Sequence, residues 1–369
     1  MFTEIASREH AVPTRTPSRL LSLFEAMATP HPLDRYLELV DPMATVRDLR
    51  AEVVEVRRPT PGSVTLTLRP TRQWDGFRCG QFVRIGVVID GVRHARCFSP
   101  AGSEHGAGIE LTVKAHGGGL VSGYLYRHAR VGLVVGLSQA DGTFVLPRPR
   151  PSKVLLISGG SGITPVISML RTLVDEGHRG DVTLLHYADR ADAVPYLREL
   201  RALSDGRSNV NVVLAYTHSR GGDLAGRFCA EHLRAAAPWF AQAQTYLCGP
   251  PALMRSVREL FDERNLGDRL HTEEFSPVLA PTDADADGSV TFAASDVTAR
   301  NVGTSLLEQA ENSGLTPEYG CRMGICFTCT TVKTSGCTRN LRTGELDHDP
   351  DKPIQLCVNA AVGDVTLDL

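Results

Sequence analysis

The sequence predicts a multidomain chain: an antiparallel β-barrel, then an α/β doubly wound sheet, then a small α+β unit. Three observations predict this. Residues 47–149 read as short alternating strands separated by Gly and Pro turns. Residues 150–275 alternate continuous apolar runs with helical patterns, as buried parallel strands and their crossover helices require. Residues 289–369 combine a hairpin pattern, a short helix and a tight group of cysteines. The 369-residue length suits two or three such domains. Residues 1–46 read as an N-terminal extension, and residues 276–288, which lack any apolar period, as a linker.

In the extension, residues 18–27 place Leu20, Leu21, Leu23, Phe24 and Met27 at helical spacing before the stops at Pro30 and Pro32. In the barrel region, residues 63–68 alternate, which points Val64, Leu66 and Leu68 inward and Thr65 and Thr67 outward. Further strands are expected at 81–89, 92–99, 109–116 and 144–146. The next region opens with the apolar run 154–157, a Gly-rich turn, and a helix through Ile167, Leu170 and Val174 that stops at Gly177. Its other strands are expected at 182–187, 210–216, 245–248 and 270–275. In the last unit, 289–292 and 297–302 suggest a hairpin, Ser305 with Glu308 a capping box, and Gly314 a helix stop.

Composition narrows the function classes. Hydrophobic residues make up 42% and charged residues 22%, and the net charge of −3 argues against a nucleic-acid binder. Residues 288–369 carry ten acidic and six basic side chains, so an acidic tail domain follows a mildly basic body. The N-terminal residues lack the apolar core of a signal peptide, and no stretch approaches the roughly 18 apolar residues of a membrane span. The expected location is cytoplasmic, where nine cysteines read as reduced thiols or metal ligands rather than disulfides.

The strongest chemical signal is Cys321, Cys326 and Cys329, with Cys357 further on. The spacing C-x4-C-x2-C…C is that of plant-type [2Fe–2S] sites, in which four thiolates surround two irons. Three closely spaced ligands come from one wrapping loop and the fourth from a separate element. Gly324 is expected to relieve crowding within that loop. A zinc knuckle fits only Cys326 and Cys329. Cys337 is a spare candidate for the fourth ligand, but follows Cys329 too closely to return from another element. Cys79, Cys97 and Cys229 read as ordinary buried thiols.

After the first parallel strand comes Gly159-Gly160-Ser161-Gly162-Ile163-Thr164-Pro165. It is not the G-x-G-x-x-G fingerprint, yet small residues at a helix start let backbone N–H groups approach a pyrophosphate. Thr164 is expected to cap that helix, with Pro165 at its first position. With Arg96-Cys97-Phe98-Ser99, Gly119-Leu120-Val121-Ser122, Cys248-Gly249-Pro250 and Glu273-Glu274-Phe275, the chain resembles the ferredoxin–NADP reductase family over residues 47–275.

That resemblance implies a flavin-binding barrel, a nicotinamide-binding α/β domain and, for the tail, a β-grasp ferredoxin domain. It implies flavin contacts from Arg96, Phe98, Ser99, Lys114, Gly119, Val121 and Ser122. It assigns the nicotinamide dinucleotide to Gly159, Gly160, Gly162, Thr164, Pro165, Cys248, Gly249 and Pro250. Ser99, Cys248, Glu273 and Phe275 would form the catalytic pocket, and Cys321, Cys326, Cys329 and Cys357 would hold the cluster. Phe98 replaces the commoner tyrosine. The implied cofactors are FAD, with FMN as the alternative, a [2Fe–2S] cluster, and NADPH, with NADH as the alternative.

Residues 29–37, 341–344 and 355–359 resemble a narrower group: reductases that serve actinobacterial membrane acyl desaturases and hydroxylases. The resemblance therefore implies an acceptor that is a desaturase, hydroxylase or haem monooxygenase, with peripheral contact to a membrane-bound partner. The reductase of a soluble ring-hydroxylating dioxygenase is the alternative reading. Nicotinamide donates electrons in pairs, an iron–sulfur cluster takes one at a time, and a flavin does both. The twelve histidines form no H-x3-4-H pair, which places the oxygen-activating site on another protein. For a 2′-phosphate, Arg190 and Arg220 are the candidate cations, with Asp189 and Asp192 as neighbours of opposite effect.

If the four thiolates are the exit for electrons, Cys326→Ser should abolish reduction of cytochrome c, a one-electron acceptor. NADPH-driven reduction of ferricyanide directly from the flavin should persist. Unchanged cytochrome c reduction in the variant would contradict the route.

Overall fold

A computed structural model of the chain describes residues 33–117, 119–275, 287–320, 322, 324 and 327–369. The helix expected at 18–27 lies outside the described residues, as does most of the expected linker. In the first unit, up to Asp48, helix α1 (Leu33–Leu37) presents Asp34. Its buried carboxylate accepts the backbone N–H groups of Val46, Arg47 and Asp48 at 2.6, 2.8 and 2.7 Å, which ties the loop back onto the helix.

The barrel domain follows. Strands β1 (Arg50–Arg57), β2 (Ser63–Pro70), β3 (Val83–Ile89), β4 (Val92–Phe98), β5 (Ile109–Lys114) and β6 (Val134–Leu137) form one antiparallel sheet in the order β4-β3-β6-β1-β2-β5. Val64, Leu66 and Leu68 are fully buried, as their alternation requires, with Val53, Ile85 and Leu111 in the same core. Helix α2 (Leu120–His128) drives Val121 and Leu125 into that core. Thr65 departs from the expectation: it is buried, not solvent-facing. Its hydroxyl meets that of Thr112 at 2.6 Å, and Tyr196 of the next domain covers both by bonding Thr112. A domain interface, invisible to a period-two pattern, claims that face.

The second domain is a parallel sheet in the order β10-β9-β8-β7-β11-β12. Its strands are β7 (Lys153–Gly159), β8 (Asp181–Ala188), β9 (Val210–Tyr216), β10 (Leu224–Ala225), β11 (Gln244–Cys248) and β12 (Leu270–Glu273). Helices α3 (Ile163–Asp175), α4 (Leu197–Ser204), α5 (Ala230–Ala236) and α6 (Pro251–Glu263) cover it. Two separate cores, one on each face, account for the unbroken apolar runs of β7 and β8. Residues 144–146 are not a strand. Phe144 and Leu146 are buried against the α/β domain's core, so their apolar side chains fill the seam between domains instead of a ladder.

The third domain is a mixed sheet of β13 (Ser289–Phe292), β14 (Val297–Arg300), β15 (Thr330–Asn340), β16 (Leu346–Asp347), β17 (Lys352–Gln355) and β18 (Asn359–Leu367). The path runs β14-β13-β18-β15-β16, with β17 also on β15 and β13 parallel to β18. Helix α7 (Leu306–Asn312) begins where Ser305 Oγ accepts the Glu308 N–H at 3.3 Å, and it buries Leu306, Leu307 and Ala310 in the domain core. Lys333 is wholly buried, and its ammonium donates to the Asp347 carboxylate at 3.0 Å, which holds β15 to β16. Among the described residues, no helix is long and apolar enough to cross a membrane.

The first two domains are locked by charge as well as packing. Arg171, on α3, grips Glu199 with two bonds of 2.6 Å, reaches Glu110 of β5 at 2.7 Å and the Ala101 carbonyl at 2.6 Å, and lies over the Tyr196 ring. Its side chain is only 13% exposed; removing it leaves Glu110 with Arg57 alone and Glu199, itself 39% exposed, without this partner. Arg171→Ala should therefore cost about 2 kcal/mol of unfolding free energy. The measurement is a urea titration; a loss below about 0.5 kcal/mol, the range of ordinary surface changes, would contradict this role.

Candidate functional site

Short elements from all three domains converge on one cavity of about 500 Å³. Strand β4 ends there, so Arg96, Cys97, Phe98 and Ser99 form one wall. Lys114 at the end of β5, His116, Gly119 at the start of α2 and Ser122 in its first turn continue it. The opposite wall is the start of α3 (Ser161, Gly162, Thr164), the start of α6 (Gly249, Pro250, Pro251) and Phe275. Arg322 enters from the third domain.

The chemistry of these walls suits an anionic dinucleotide. Three helix N-termini open on the cavity, each with unpaired N–H groups and a positive dipole end. Arg96 and Lys114 add full charges, and none of the lining residues is acidic. Backbone must also come close. A Cβ on Gly162 would lie 2.2 Å from the Cys248 carbonyl oxygen, so only glycine lets the first βα turn pack against β11. These features fit a flavin and a nicotinamide dinucleotide held face to face.

Several expected residues shape the cavity from behind rather than line it. Gly159 and Gly160 lead into it, with Gly159 backed by Pro250 and Leu253. Val121 is in the barrel core, so only its backbone, in the first turn of α2, is available to a ligand. The expected cap is corrected. Helix α3 begins at Ile163 with Gly162 before it, and Thr164 donates instead to the Ser161 carbonyl at 3.3 Å. Pro165 falls at the third helical position because the tight turn at Gly160–Gly162 runs directly into the helix.

At the seam of barrel and α/β domain, the buried Ser99 hydroxyl donates to Glu273 at 3.4 Å. Cys248 is fully buried and pairs in register with Glu273 across β11 and β12. Burial pushes the Cys248 thiol well above its usual range, with Glu273 and Glu274 adding to the effect. Glu273 is partly accessible as a residue, but desolvation of its carboxyl raises its pKa to about 8, against the opposing hydrogen bond from Ser99. Glu274, its neighbour, is instead paired with Arg258 at 2.6 Å. Glu273 also faces a second cavity of about 360 Å³ shared with Phe82 and Phe144 of the seam and Gly324 and Phe327 of the third domain.

Of the four cluster candidates, Cys321 and Cys326 lie outside the described residues. Cys329 and Cys357 are both buried. The Leu356 N–H donates to the Cys329 carbonyl at 3.0 Å, which joins the start of β15 to the turn Leu356–Val358 that carries Cys357. Gly324 has φ +73°, and a Cβ there would press on Val358, next to Cys357. Gly324 thus packs against the turn that carries Cys357, and the buried thiols of Cys329 and Cys357 on joined elements fit a thiolate-bound cluster. Cys337 is excluded as a ligand by its place within β15, where its Sγ lies 3.7 Å from His348 Nε2. Cys79 is buried, and desolvation pushes its thiol up to about 12. Cys97 and Cys229 are only half-buried, contrary to expectation, and Cys97 lines the large cavity.

What sequence reasoning missed is how the third domain meets the barrel. Arg84 on β3 donates to the Thr328 hydroxyl. His94 on β4 bonds the Tyr319 hydroxyl at 3.0 Å, and Arg96 donates to the Gly320 carbonyl at 3.3 Å. All three contacts fall within the segment that carries the clustered cysteines.

Comparison with known proteins identifies the three parts. Residues 62–145 match the oxidoreductase FAD-binding domain, 156–259 the oxidoreductase NAD-binding domain, and 290–358 the 2Fe-2S iron-sulfur cluster binding domain. An NADPH oxidoreductase of Mycobacterium tuberculosis is 36% identical over 349 residues, covering 93% of this chain and 90% of the relative. The chain belongs to the ferredoxin–NADP reductase family, in the form that carries a C-terminal [2Fe–2S] domain. The glycine betaine monooxygenase reductase subunit of Pseudomonas aeruginosa is 30% identical, over 79% of this chain and 87% of that one. The structure of phthalate dioxygenase reductase shares the fold, with a TM-score of 0.60 at 23% identity over 88% of this chain and 98% of that one. This reductase is a flavin-dependent oxidoreductase that takes electrons from NAD(P)H through FAD to its [2Fe–2S] cluster.

The raised pKa of Glu273 makes a signed prediction. Between the ordinary carboxylate range and about pH 8 the folded state holds a proton that the unfolded chain releases, so stability is full at low pH and falls as pH rises through about 8. Glu273→Gln should remove that decline. Urea midpoints of both proteins at pH 5 and pH 8 test it, and the difference between them cancels the opposing contribution of His186, whose pKa burial lowers to about 4. A variant whose pH dependence matches the parent's would refute the assignment.

Proposed function

We propose that this reductase uses NADPH and hands single electrons from its [2Fe–2S] domain to a separate oxygen-activating enzyme. The observation that carries this reading is the shared cavity: flavin wall, nicotinamide wall and cluster segment meet at one place. In it, Arg96, Lys114, Ser122 and the amides of Gly119 and Val121 hold the flavin's phosphates. Phe98 lies against the ring system, and Ser99 faces its reactive edge. Gly159, Gly160, Gly162, Thr164 and Pro165 with Cys248, Gly249 and Pro250 seat the nicotinamide dinucleotide, and Phe275 closes the pocket. Ser99 and Glu273 hold a proton at the seam. Cys321, Cys326, Cys329 and Cys357 hold the irons. The bound flavin supplies the conversion of a paired donation into single electrons; the chain's task is to align donor and acceptor closely.

The relatives support an oxygenase as the recipient: two reductase subunits among them are named for a glycine betaine monooxygenase and a stachydrine N-demethylase. Within that class, the resemblance of residues 29–37, 341–344 and 355–359 favours a desaturase or hydroxylase at a membrane. For NADPH, the name of the Mycobacterium relative and one structural feature agree. Arg190 is tied to Asp192 at 2.8 Å, whereas Arg220, beyond the end of β9, has no ion pair among the described residues. Asp189 is engaged by Thr217 and His218. Ligands of such sheets bind outside the carboxyl ends of the strands, where Arg220 lies.

Cofactor extraction with cytochrome c reduction by each nucleotide tests the whole reading; protein without FAD or without two irons per chain would end it. Arg220→Ala should raise the KM for NADPH about tenfold, the effect of losing one charge-assisted bond, and leave the KM for NADH unchanged. Equal effects on both nucleotides would remove Arg220 from the 2′-phosphate site.

A further inference from the structure

Among the described residues of the ferredoxin domain, Arg322 is the one that lines the large cavity, and it follows directly on Cys321 in sequence. It is held in place on several sides. Its backbone is in the left-handed region at φ +59°, unusual for a residue with a side chain. Its guanidinium bonds both carboxylate oxygens of Glu311 and lies 3.9 Å above the centre of the Tyr319 ring. Tyr319 is in turn bonded to His94 of the barrel. Glu311 takes one N–H from each terminal nitrogen, and Nε is buried without a hydrogen-bond partner. Each terminal nitrogen keeps a second N–H, and the side chain is 28% exposed. It lines a cavity whose other described lining groups include Arg96, Lys114, His116 and Ser122 and no carboxylate.

We propose that Arg322 is a ligand of the flavin adenine dinucleotide, donating from the ferredoxin domain to the cofactor's pyrophosphate. The inference rests on the reading above, in which the Arg96–Ser122 wall holds the flavin phosphates. Arg96 itself donates to the Gly320 carbonyl, two residues before Arg322. The anion site and the cluster segment therefore share their residues. Whatever binds between them favours the docked arrangement, and docking favours binding by the same factor. The cofactor becomes a latch between barrel and ferredoxin domain.

The test is titration of FAD-stripped full-length protein with FAD, read by quenching of flavin fluorescence, for the parent, Arg322→Ala, Arg322→Lys and Arg96→Ala. Arg322→Ala should bind FAD about tenfold more weakly, the loss of one charge-assisted bond, and Arg322→Lys should recover to within about threefold of the parent. Iron content is measured alongside. If Arg322→Ala loses its cluster, Cys329→Ser, which loses it while keeping Arg322, becomes the baseline, and the alanine variant should still bind FAD more weakly than that baseline. Unchanged FAD affinity in Arg322→Ala, or an effect confined to the KM for NADPH, would overturn the proposal. Arg96→Ala separates the two layers. If it releases FAD while Arg322→Ala does not, only this inference fails. If neither changes FAD affinity, the assignment of the phosphate wall fails with it.

Discussion

The constraint on which the third domain's position against the barrel depends is a set of polar contacts from strands β3 and β4 to residues 319, 320 and 328. Arg84, His94 and Arg96 sit on neighbouring strands and reach Thr328, Tyr319 and Gly320. Those three partners bracket Cys321 and Cys326 in sequence. The strand that carries Phe98 to the wall of the large cavity, with Ser99 just beyond it, is thus also one that contacts residues 319 and 320. A shift of β4 would move that wall and those contacts together, and its pairing with β3 stiffens it.

Donor and acceptor are aligned by a different means. The barrel and the α/β domain are joined by Arg171 with Glu110 and Glu199, by Ser168 donating to the Gly102 carbonyl at 2.6 Å, and by the Arg150 ion pairs to Glu104 and Glu176. Arg150 and Arg171 are largely buried, and hydrogen bonds satisfy their charges from several sides. Such networks specify geometry even where their net stabilisation is modest. Burial of the seam also explains the state of its titratable groups. The Glu273 carboxyl and the Cys248 thiol are both desolvated at the seam, and so both hold their protons more tightly than in water.

Much of this was legible in the sequence, for identifiable reasons. The strands of the α/β domain were readable because burial on both faces demands unbroken apolar runs, and β9 and β13 have the bounds their patterns predict. Residues that line the large cavity, among them Arg96, Gly119, Ser122 and Gly162, were marked in the sequence by the motifs that carry the family resemblance. What failed to show were features that depend on a second domain. Thr65 looks like an outward strand residue until Tyr196 covers it. Phe144 looks like a strand residue until it is found filling a seam. Arg322 carries no local signal of its place in the cavity beyond adjacency to Cys321.

The two interfaces differ in kind, and that difference matches what each must do. Hydride donor and flavin must meet at contact distance, so their domains are fastened by buried, multiply bonded charges and a shared apolar seam. The ferredoxin domain meets the barrel mainly through hydrogen bonds involving hydroxyl, carbonyl and imidazole groups, with its own core complete without the barrel. Two of the three have a guanidinium donor, and such bonds contribute about 1–3 kcal/mol each, so docking by so few contacts draws much of its strength from being intramolecular. Electrons tolerate a gap that hydride does not, and a lighter contact suffices for them. On the proposal above, a cofactor lying in the cavity between Arg96 and Arg322 strengthens that contact from the barrel side and the ferredoxin side at once.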